Sequence, residues 1–131
     1  MPITITPEFE AVLKTIAEGK NVFITGKAGT GKSTLLKQFI QDARNKNILV
    51  TAPTGVAALN INGVTVHKAF GFRPGQFPDD IKSKRYPSSH IVKATLKILD
   101  ILVIDEVSML RAEIFDMIDI ALRKVRKTTI P

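Results

Sequence analysis

The chain has 131 residues, enough for one domain with a single buried core, and it contains no cysteine, which excludes disulfides, zinc fingers and thiol nucleophiles. Because its apolar runs are short and its first residues lack the pattern of a signal peptide, we expect a cytoplasmic protein with no membrane partner. The net charge of +7 favours a polyanionic partner, most commonly nucleic acid.

The first two predicted elements are a helix and a short strand. Thr6 suits the N-cap and Pro7 the first helical position, so we expect a helix that begins there and ends at Gly19. The apolar run at residues 21–25 then predicts a buried strand. The predicted apolar face of the helix consists of Phe9, Val12, Leu13 and Ile16.

A glycine-rich segment, the phosphate loop (residues 26–33), follows this strand and matches the pattern G-x-x-x-x-G-K-[ST]. In this pattern backbone N–H groups surround the phosphates of a nucleotide, Lys32 contacts the β- and γ-phosphate oxygens, and Ser33 coordinates Mg²⁺. A helix is predicted over residues 33–40, and its N-terminus favours an anion. Its apolar face would consist of Leu36, Phe39, Ile40 and Ala43. The predicted nucleotide-binding residues are Gly26, Lys27, Ala28, Gly29, Thr30, Gly31, Lys32, Ser33 and Thr34.

The middle of the chain predicts a second strand and a long irregular segment. Residues 47–52 form an apolar run that Pro53 interrupts, and residues 54–60 predict a short helix or turn. Asn62 and Gly63 together are a strong turn signal. Residues 73–89 are rich in proline, glycine and charge, which predicts an irregular surface excursion.

The last third of the chain predicts a helix, a strand and a closing helix. The helix is expected over residues 90–99 and the strand, nearly all β-branched or leucine, over residues 101–105. The closing helix is expected over residues 111–127, with acidic residues in its first half and a basic cluster at its end that complements the helix dipole. Its predicted core face consists of Ile114, Ile118, Ala121, Leu122 and Val125.

Apolar strands that alternate with helices predict an α/β fold, in which helices cover both faces of a parallel sheet. Ligands of such sheets bind beyond the carboxyl ends of the strands. Gly26, residues 51–55 and residues 105–108 all follow predicted strands, so the sequence predicts that three polar clusters converge on one edge of the sheet.

Two carboxylates, Asp105 and Glu106, end the third predicted strand. Next to a phosphate loop, an aspartate that holds Mg²⁺ and a glutamate that polarises the attacking water would explain both charges. The alternative interpretation is a strand end that is simply solvated.

Two further segments identify a family. The sequences TAPTGVAALN (residues 51–60) and GVTVHKAFGF (residues 63–72), together with DEVSML (residues 105–110), resemble the Pif-one (petite integration frequency) helicases, relatives of RecD in helicase superfamily one. The resemblance covers residues 6–127. It implies a RecA-like P-loop NTPase domain with three layers (αβα) around a parallel sheet. It also implies an ATP-driven translocase that moves 5′ to 3′ on single-stranded DNA and unwinds duplexes or quadruplexes.

The resemblance also implies residue roles. ATP and Mg²⁺ would be bound by the phosphate loop, with Lys32 as a catalytic contact, Asp105 as the metal carboxylate and Glu106 as the catalytic base. Thr54 and Gly55 would contact the DNA backbone, and His67 and Phe70 would lie near the single strand. From the residues alone, a lone phenylalanine such as Phe70 is more often a core residue than a stacking platform, and the alternative for His67 is a cap of local structure.

Two departures from the family pattern are visible. Phe9 occupies the place of a glutamine that reads adenine in the family. The chain ends at Pro131, before the second RecA-like domain and its arginine finger, so residues 1–131 are expected to be a partial first motor domain whose partner is that second domain. The alternatives left open are a P-loop ATPase of another class, such as an AAA-type remodeller, and a nucleotide-binding module that regulates a partner.

Overall fold

The structure is a computed structural model of the chain, and it describes residues 7–24, 32–43 and 45–128. It divides into two units, Met1–Asn45 and Lys46–Pro131, and each is described by itself. No helix within these described ranges is both long and apolar enough to cross a membrane.

The first unit contains helices α1 (Pro7–Ala17) and α2 (Lys32–Asp42). As predicted, the chain leaves α1 at Gly19, which has a φ of +80° and whose N–H donates to the Ile16 carbonyl at 2.9 Å. In α2 the most buried described side chains are Leu35 and Phe39, so the prediction for Phe39 is confirmed and Leu35 was missed. Thr6 and the side chain of Phe9 lie outside the described part of the chain.

The strand predicted over residues 21–25 is not found in the part that the structure describes. Residues 21–24 belong to no strand, the side chain of Phe23 is 73% exposed, and Thr25 lies outside the described residues. The prediction was wrong for residues 21–24 because an apolar run only permits a strand. Whether a strand forms depends on pairing with a neighbour, which a run of four residues does not encode.

The second unit contains a three-stranded parallel sheet. Its strands are β1 (Ile48–Ala52), β2 (Val64–Thr65) and β3 (Ile101–Ile104), in the spatial order β2-β1-β3. The parallel α/β fold predicted from the sequence is confirmed. Strand β2 was missed because two residues are too few to show a periodicity.

Along the chain, helices precede and follow the strands of this sheet, and one 3-10 turn follows β3. The closing helix matches the predicted bounds, while α4 and α5 were not predicted. The helices and the turn are α3 (Gly55–Asn60), α4 (Val66–Phe70), α5 (Pro78–Lys82), α6 (His90–Ile98), the 3-10 turn (Val107–Met109) and α7 (Ala112–Arg126).

One hydrophobic core joins the sheet to α4, α5, α6 and α7. Helix α7 contributes the largest share, and Met117, which the sequence reasoning missed, is fully buried there. From the sheet, Leu49, Leu102 and Ile104 pack against the core. Its buried members are Val66, Phe70, Phe72, Ile81, Tyr86, Leu96, Leu99, Ile114, Met117, Ile118, Ala121 and Val125.

Residues 73–89 are more ordered than the sequence predicts. They contain α5, and both Ile81 and Tyr86 are buried in the core. The Tyr86 hydroxyl donates to the Phe70 carbonyl at 2.6 Å, and burial raises the pKa of Tyr86. The prediction of an irregular surface excursion was therefore wrong for α5 and Tyr86, because two apolar anchors among many polar residues leave no periodic signal.

The basic end of α7 has specific partners. Lys124 Nζ donates to the carbonyls of Ile81 (3.1 Å) and Ser83, at the end of α5, and desolvation lowers its pKa. Arg126 Nη1 donates to carbonyls at the end of α6, including that of Leu99 at 2.9 Å. These cations therefore satisfy helix-end carbonyls that would otherwise lack partners.

We predict that Gly63→Ala destabilises the chain. A Cβ at this position would lie 2.5 Å from the backbone oxygen of Val50, so β1 or the turn would have to shift. Overpacking of this kind costs about 1–3 kcal/mol in the free energy of unfolding. Gly55→Ala is the matched control, since a Cβ there meets nothing within 4 Å. Urea unfolding of the 131-residue chain measures both, and equal stability of the two variants would contradict the close approach.

Candidate functional site

The carboxyl ends of all three strands lie at one edge of the sheet, because the strands are parallel and neighbouring. Residues 53–55 follow β1, helix α4 follows β2, and Asp105 with Glu106 follows β3. Two of the three polar clusters predicted to converge are therefore brought together. The third, which begins at Gly26, lies outside the described residues.

The phosphate loop cannot be placed from the described coordinates. Six of its predicted nucleotide contacts lie outside them, and for three more only the helical backbone at the start of α2 is described. The nucleotide contacts therefore stay predictions from the sequence. The first group is Gly26, Lys27, Ala28, Gly29, Thr30 and Gly31, and the second is Lys32, Ser33 and Thr34.

Thr51, the second-to-last residue of β1, connects the ends of β1 and β3. Its side chain is fully buried, and its hydroxyl donates to the carbonyl of Val103 at 2.8 Å. Its own carbonyl accepts a hydrogen bond from the Asp105 N–H at 2.9 Å, which continues the pairing one residue beyond β3. Sequence reasoning assigned Thr51 no role, although a hydroxyl near the end of an apolar strand, once buried, needs a hydrogen-bond partner.

The two carboxylates stand where the backbone changes direction. Asp105 is half-buried and Glu106 is exposed. Glu106 has a φ of +52° and a ψ of +42°, a left-handed conformation that is uncommon for residues other than glycine. The Met109 N–H donates to the Glu106 carbonyl at 3.0 Å, so the 3-10 turn holds this conformation. Strained backbone of this kind is concentrated at functional sites.

The chemistry of the strand end fits a magnesium ion bound together with phosphates. Within the described ranges, neither Asp105 nor Glu106 forms an ion pair with a protein cation. The described part of the chain also contains no cluster of three His, Cys, Asp or Glu residues that could hold a metal by themselves. Mg²⁺ typically takes one or two carboxylates and completes its shell with water and substrate phosphates, so one aspartate is a suitable donor set.

Thr54 and Gly55, the predicted DNA-backbone contacts, lie where β1 leads into α3. Thr54 is the N-cap of α3, and its Oγ1 accepts from the Ala57 N–H at 3.2 Å. The hydroxyl hydrogen is not used by this cap, so Thr54 can still donate to a phosphate. Gly55 is exposed, and a Cβ added to it would meet no other atom within 4 Å. Both residues are thus accessible to solvent at this edge.

His67 is the second residue of α4 and is half-buried. Its ring lies edge-on to the ring of Phe72, with 6.2 Å between the ring centroids. The N-cap of α4 is Thr65, whose Oγ1 accepts from the Lys68 N–H at 3.2 Å. The cap that the sequence left open for His67 is thus supplied by another residue. Partial exposure leaves the imidazole able to contact a ligand at the edge.

Phe70 is a core residue, and its prediction as a DNA contact was wrong for the side chain. It is 0% exposed, its ring stacks on Phe72 at 5.4 Å, and its carbonyl accepts from Tyr86. A ring with no accessible surface cannot stack on a base. Residue type alone favours the core role for a phenylalanine, and the DNA contact came only from the family resemblance.

Comparison with known proteins gives a consistent result. The model of the PIF1-like helicase family matches residues 4–130. The chain is 39% identical over 135 residues to the ATP-dependent DNA helicase PIF1 of Saccharomyces cerevisiae, and the alignment covers 100% of this chain and 16% of the yeast protein. It is 40% identical over 129 residues to the ATP-dependent DNA helicase PIF1 of Danio rerio, and the alignment covers 97% of this chain and 20% of the Danio protein. The chain thus spans a fifth or less of the length of these relatives.

Solved structures agree with this result. A crystal structure of Bacteroides Pif1 bound to ssDNA is 41% identical, has a TM-score of 0.87, and matches 99% of this chain and 30% of that one. Bacteroides Pif1 in complex with ADP-AlF4 is 39% identical, has a TM-score of 0.89, and likewise matches 99% of this chain and 30% of that one.

We predict that Thr54→Ala loses the cap of α3, whereas Thr54→Asp retains it. Replacing an N-cap hydroxyl by alanine typically costs about 0.5–2 kcal/mol in the free energy of unfolding, and aspartate is an equally good cap. Chemical unfolding of the 131-residue variants checks the difference. If both variants lost the same stability, the hydrogen bond from Ala57 to Oγ1 would not be what orders the start of α3.

Proposed function

The chain belongs to the PIF1-like helicase family, and we propose that it forms the nucleotide-binding part of the first motor domain of an ATP-dependent DNA helicase. One observation carries the proposal. Asp105 and Glu106 leave the sheet beside Thr54 and Gly55, at the ends of neighbouring parallel strands, in a chain that the family model matches over residues 4–130. The paired strands thus place the proposed hydrolytic residues and the proposed DNA contacts at the same edge of the sheet.

In this proposal the phosphate loop binds ATP. The ADP-AlF4 complex of Bacteroides Pif1 supports nucleotide binding in the family. Lys32 would contact the β- and γ-phosphates, and Ser33 with Asp105 would hold Mg²⁺, which neutralises phosphate charge when bound. Glu106 would accept a proton from the water that attacks the γ-phosphorus. The bond between that phosphorus and the oxygen that bridges it to the β-phosphate would break, and ADP would leave with the electron pair of this bond on its terminal oxygen. The left-handed backbone at Glu106 supports such a role, since uncommon backbone conformations are concentrated at functional sites.

Single-stranded DNA would bind along the same edge. The ssDNA complex of Bacteroides Pif1 supports DNA binding in the family. The Thr54 hydroxyl and the Gly55 N–H would donate to phosphate oxygens, and the half-buried His67 would lie beside the strand. Such contacts carry no sequence information, which suits an enzyme that moves along DNA. We expect movement in the 5′ to 3′ direction.

A second RecA-like domain of the same protein would complete the motor. Charge that develops on the transferred phosphoryl group normally needs an arginine from a second surface, which is worth about 10³–10⁵ in rate. The relatives are five to six times longer than the matched segment, which leaves room for such a domain in them. An AAA-type ATPase or a regulatory nucleotide module is less favoured, because neither explains the match across residues 51–72.

We predict that two variants of the intact enzyme separate nucleotide binding from hydrolysis. Lys32→Ala removes a charge-assisted phosphate contact, so ATP affinity should fall by roughly 10- to 150-fold. Glu106→Gln should bind ATP normally while single-strand-stimulated turnover falls by about 10²–10⁴, the usual contribution of a general base. Calorimetric titration and steady-state hydrolysis measure the two effects. Wild-type hydrolysis that is indifferent to single-stranded DNA would instead support a P-loop ATPase of another class.

We predict that Thr54→Asp weakens single-strand binding without unfolding α3, because it keeps the cap and adds a negative charge beside a phosphate. Loss of one hydrogen bond to a charged group lowers affinity by about tenfold or more. The added carboxylate offsets about one of the positive charges that neutralise phosphates, so the log–log salt slope should shrink by about 0.7. Fluorescence anisotropy of a labelled oligothymidine at several salt concentrations measures both. Thr95→Asp is the matched control, since it places the same charge on α6, which leads into the opposite end of β3. Equal weakening by both variants would rule out a local contact at Thr54.

A further inference from the structure

We propose that the Thr51 hydroxyl is a positioning group that couples DNA binding to ATP hydrolysis. It would hold the strand end that carries Asp105 and Glu106 to the strand end that leads to Thr54 and Gly55. The inference rests on the proposed function of the two strand ends, and it adds a residue that contacts neither nucleotide nor DNA.

The first argument is the burial of Thr51. Thr51 is 0% exposed, and its neighbours along β1 are apolar. A buried hydroxyl must be hydrogen-bonded, and here the bond goes across the sheet to the Val103 carbonyl at 2.8 Å. Valine has nearly the same shape and would pack in a parallel strand without needing any partner. The hydroxyl therefore brings a directed connection that burial alone does not require.

The second argument is the position of this connection. The register places Thr51 opposite Ile104, so the hydroxyl bond to Val103 and the backbone bond from the Asp105 N–H lie on either side of that pair. Thr51 is three residues before Thr54, and Val103 is two residues before Asp105. Both bonds thus lie between the proposed DNA contact and the proposed metal ligand.

The third argument is the conformation that follows β3. Glu106 has a left-handed backbone conformation. On the side away from β3, the N–H of Met109 in the 3-10 turn donates to its carbonyl. A residue in this region keeps its conformation only where the flanking structure is firmly held. On the β3 side, the flanking structure is the parallel pairing with β1, and the two bonds to Thr51 form the end of that pairing. A displacement of residues 53–55 on binding DNA would therefore be transmitted through Thr51 to Asp105 and Glu106.

Two variants test this proposal in the intact enzyme. Thr51→Val keeps the branched shape and removes the hydroxyl, whereas Thr51→Ser keeps the hydroxyl and removes a methyl group. We expect Thr51→Val to lower the ratio of DNA-stimulated to basal kcat by about 3- to 10-fold, the range for loss of one net hydrogen bond. The KM for ATP and the affinity for oligothymidine should change by less than about twofold. Thr51→Ser should retain the wild-type ratio even where its thermal stability is lower.

Hydrogen exchange of the peptide that contains Asp105 and Glu106 gives a second readout that does not depend on turnover. Oligothymidine should slow exchange of this peptide in the wild type and in Thr51→Ser, and have no effect in Thr51→Val. An unchanged stimulation ratio in Thr51→Val, or an equal loss in both variants, would show that Thr51 serves packing alone. A wild-type enzyme that neither binds oligothymidine nor responds to it would instead overturn the proposed function, which distinguishes the two failures.

Discussion

The parallel pairing of β1 with β3 is the constraint on which the second unit depends. Its register sets Ile48 opposite Ile101 and Thr51 opposite Ile104, and the bond from Asp105 to Thr51 extends it beyond the strand. A slip of one residue would turn every side chain of a strand to the other face of the sheet. The same register that packs the sheet against the core therefore also places the two carboxylates beside the residues that follow β1.

Helix α4, which follows β2 at the candidate site, is stabilised at both ends by hydrogen bonds. Thr65 caps the start of α4, and the hydroxyl of Tyr86 binds the carbonyl of Phe70 at its last residue. Tyr86 belongs to residues 73–89, which are anchored to the core by Ile81 as well. A segment that is far along the chain from the strand ends thus fixes the short helix on which His67 lies, and both ends of that helix have partners.

Several basic side chains of α7 form contacts within the fold. Lys124 and Arg126 donate to carbonyls at the ends of α5 and α6, and Arg123 binds Asp119 with an Nε–Oδ1 distance of 3.0 Å. Helix-end carbonyls lack partners within their own helix, so these contacts stabilise the packing of α7. Because Lys124 and Arg126 direct their donors at helix ends, the proposed DNA contacts depend on the strand ends instead.

The sequence by itself determined the local patterns. The glycine spacing of the phosphate loop, the apolar runs of β1 and β3, the helical periodicity of α7 and the two carboxylates after β3 are all encoded by near neighbours, so they could be recognised without coordinates. Only the tertiary structure decided that Phe70 is buried, that residues 21–24 form no strand in the described part, that Tyr86 anchors α4, and that Thr51 binds Val103. The physical reason is that burial and strand pairing arise from contacts between segments that are distant in the chain, and a local pattern carries no information about which distant segment will supply the partner.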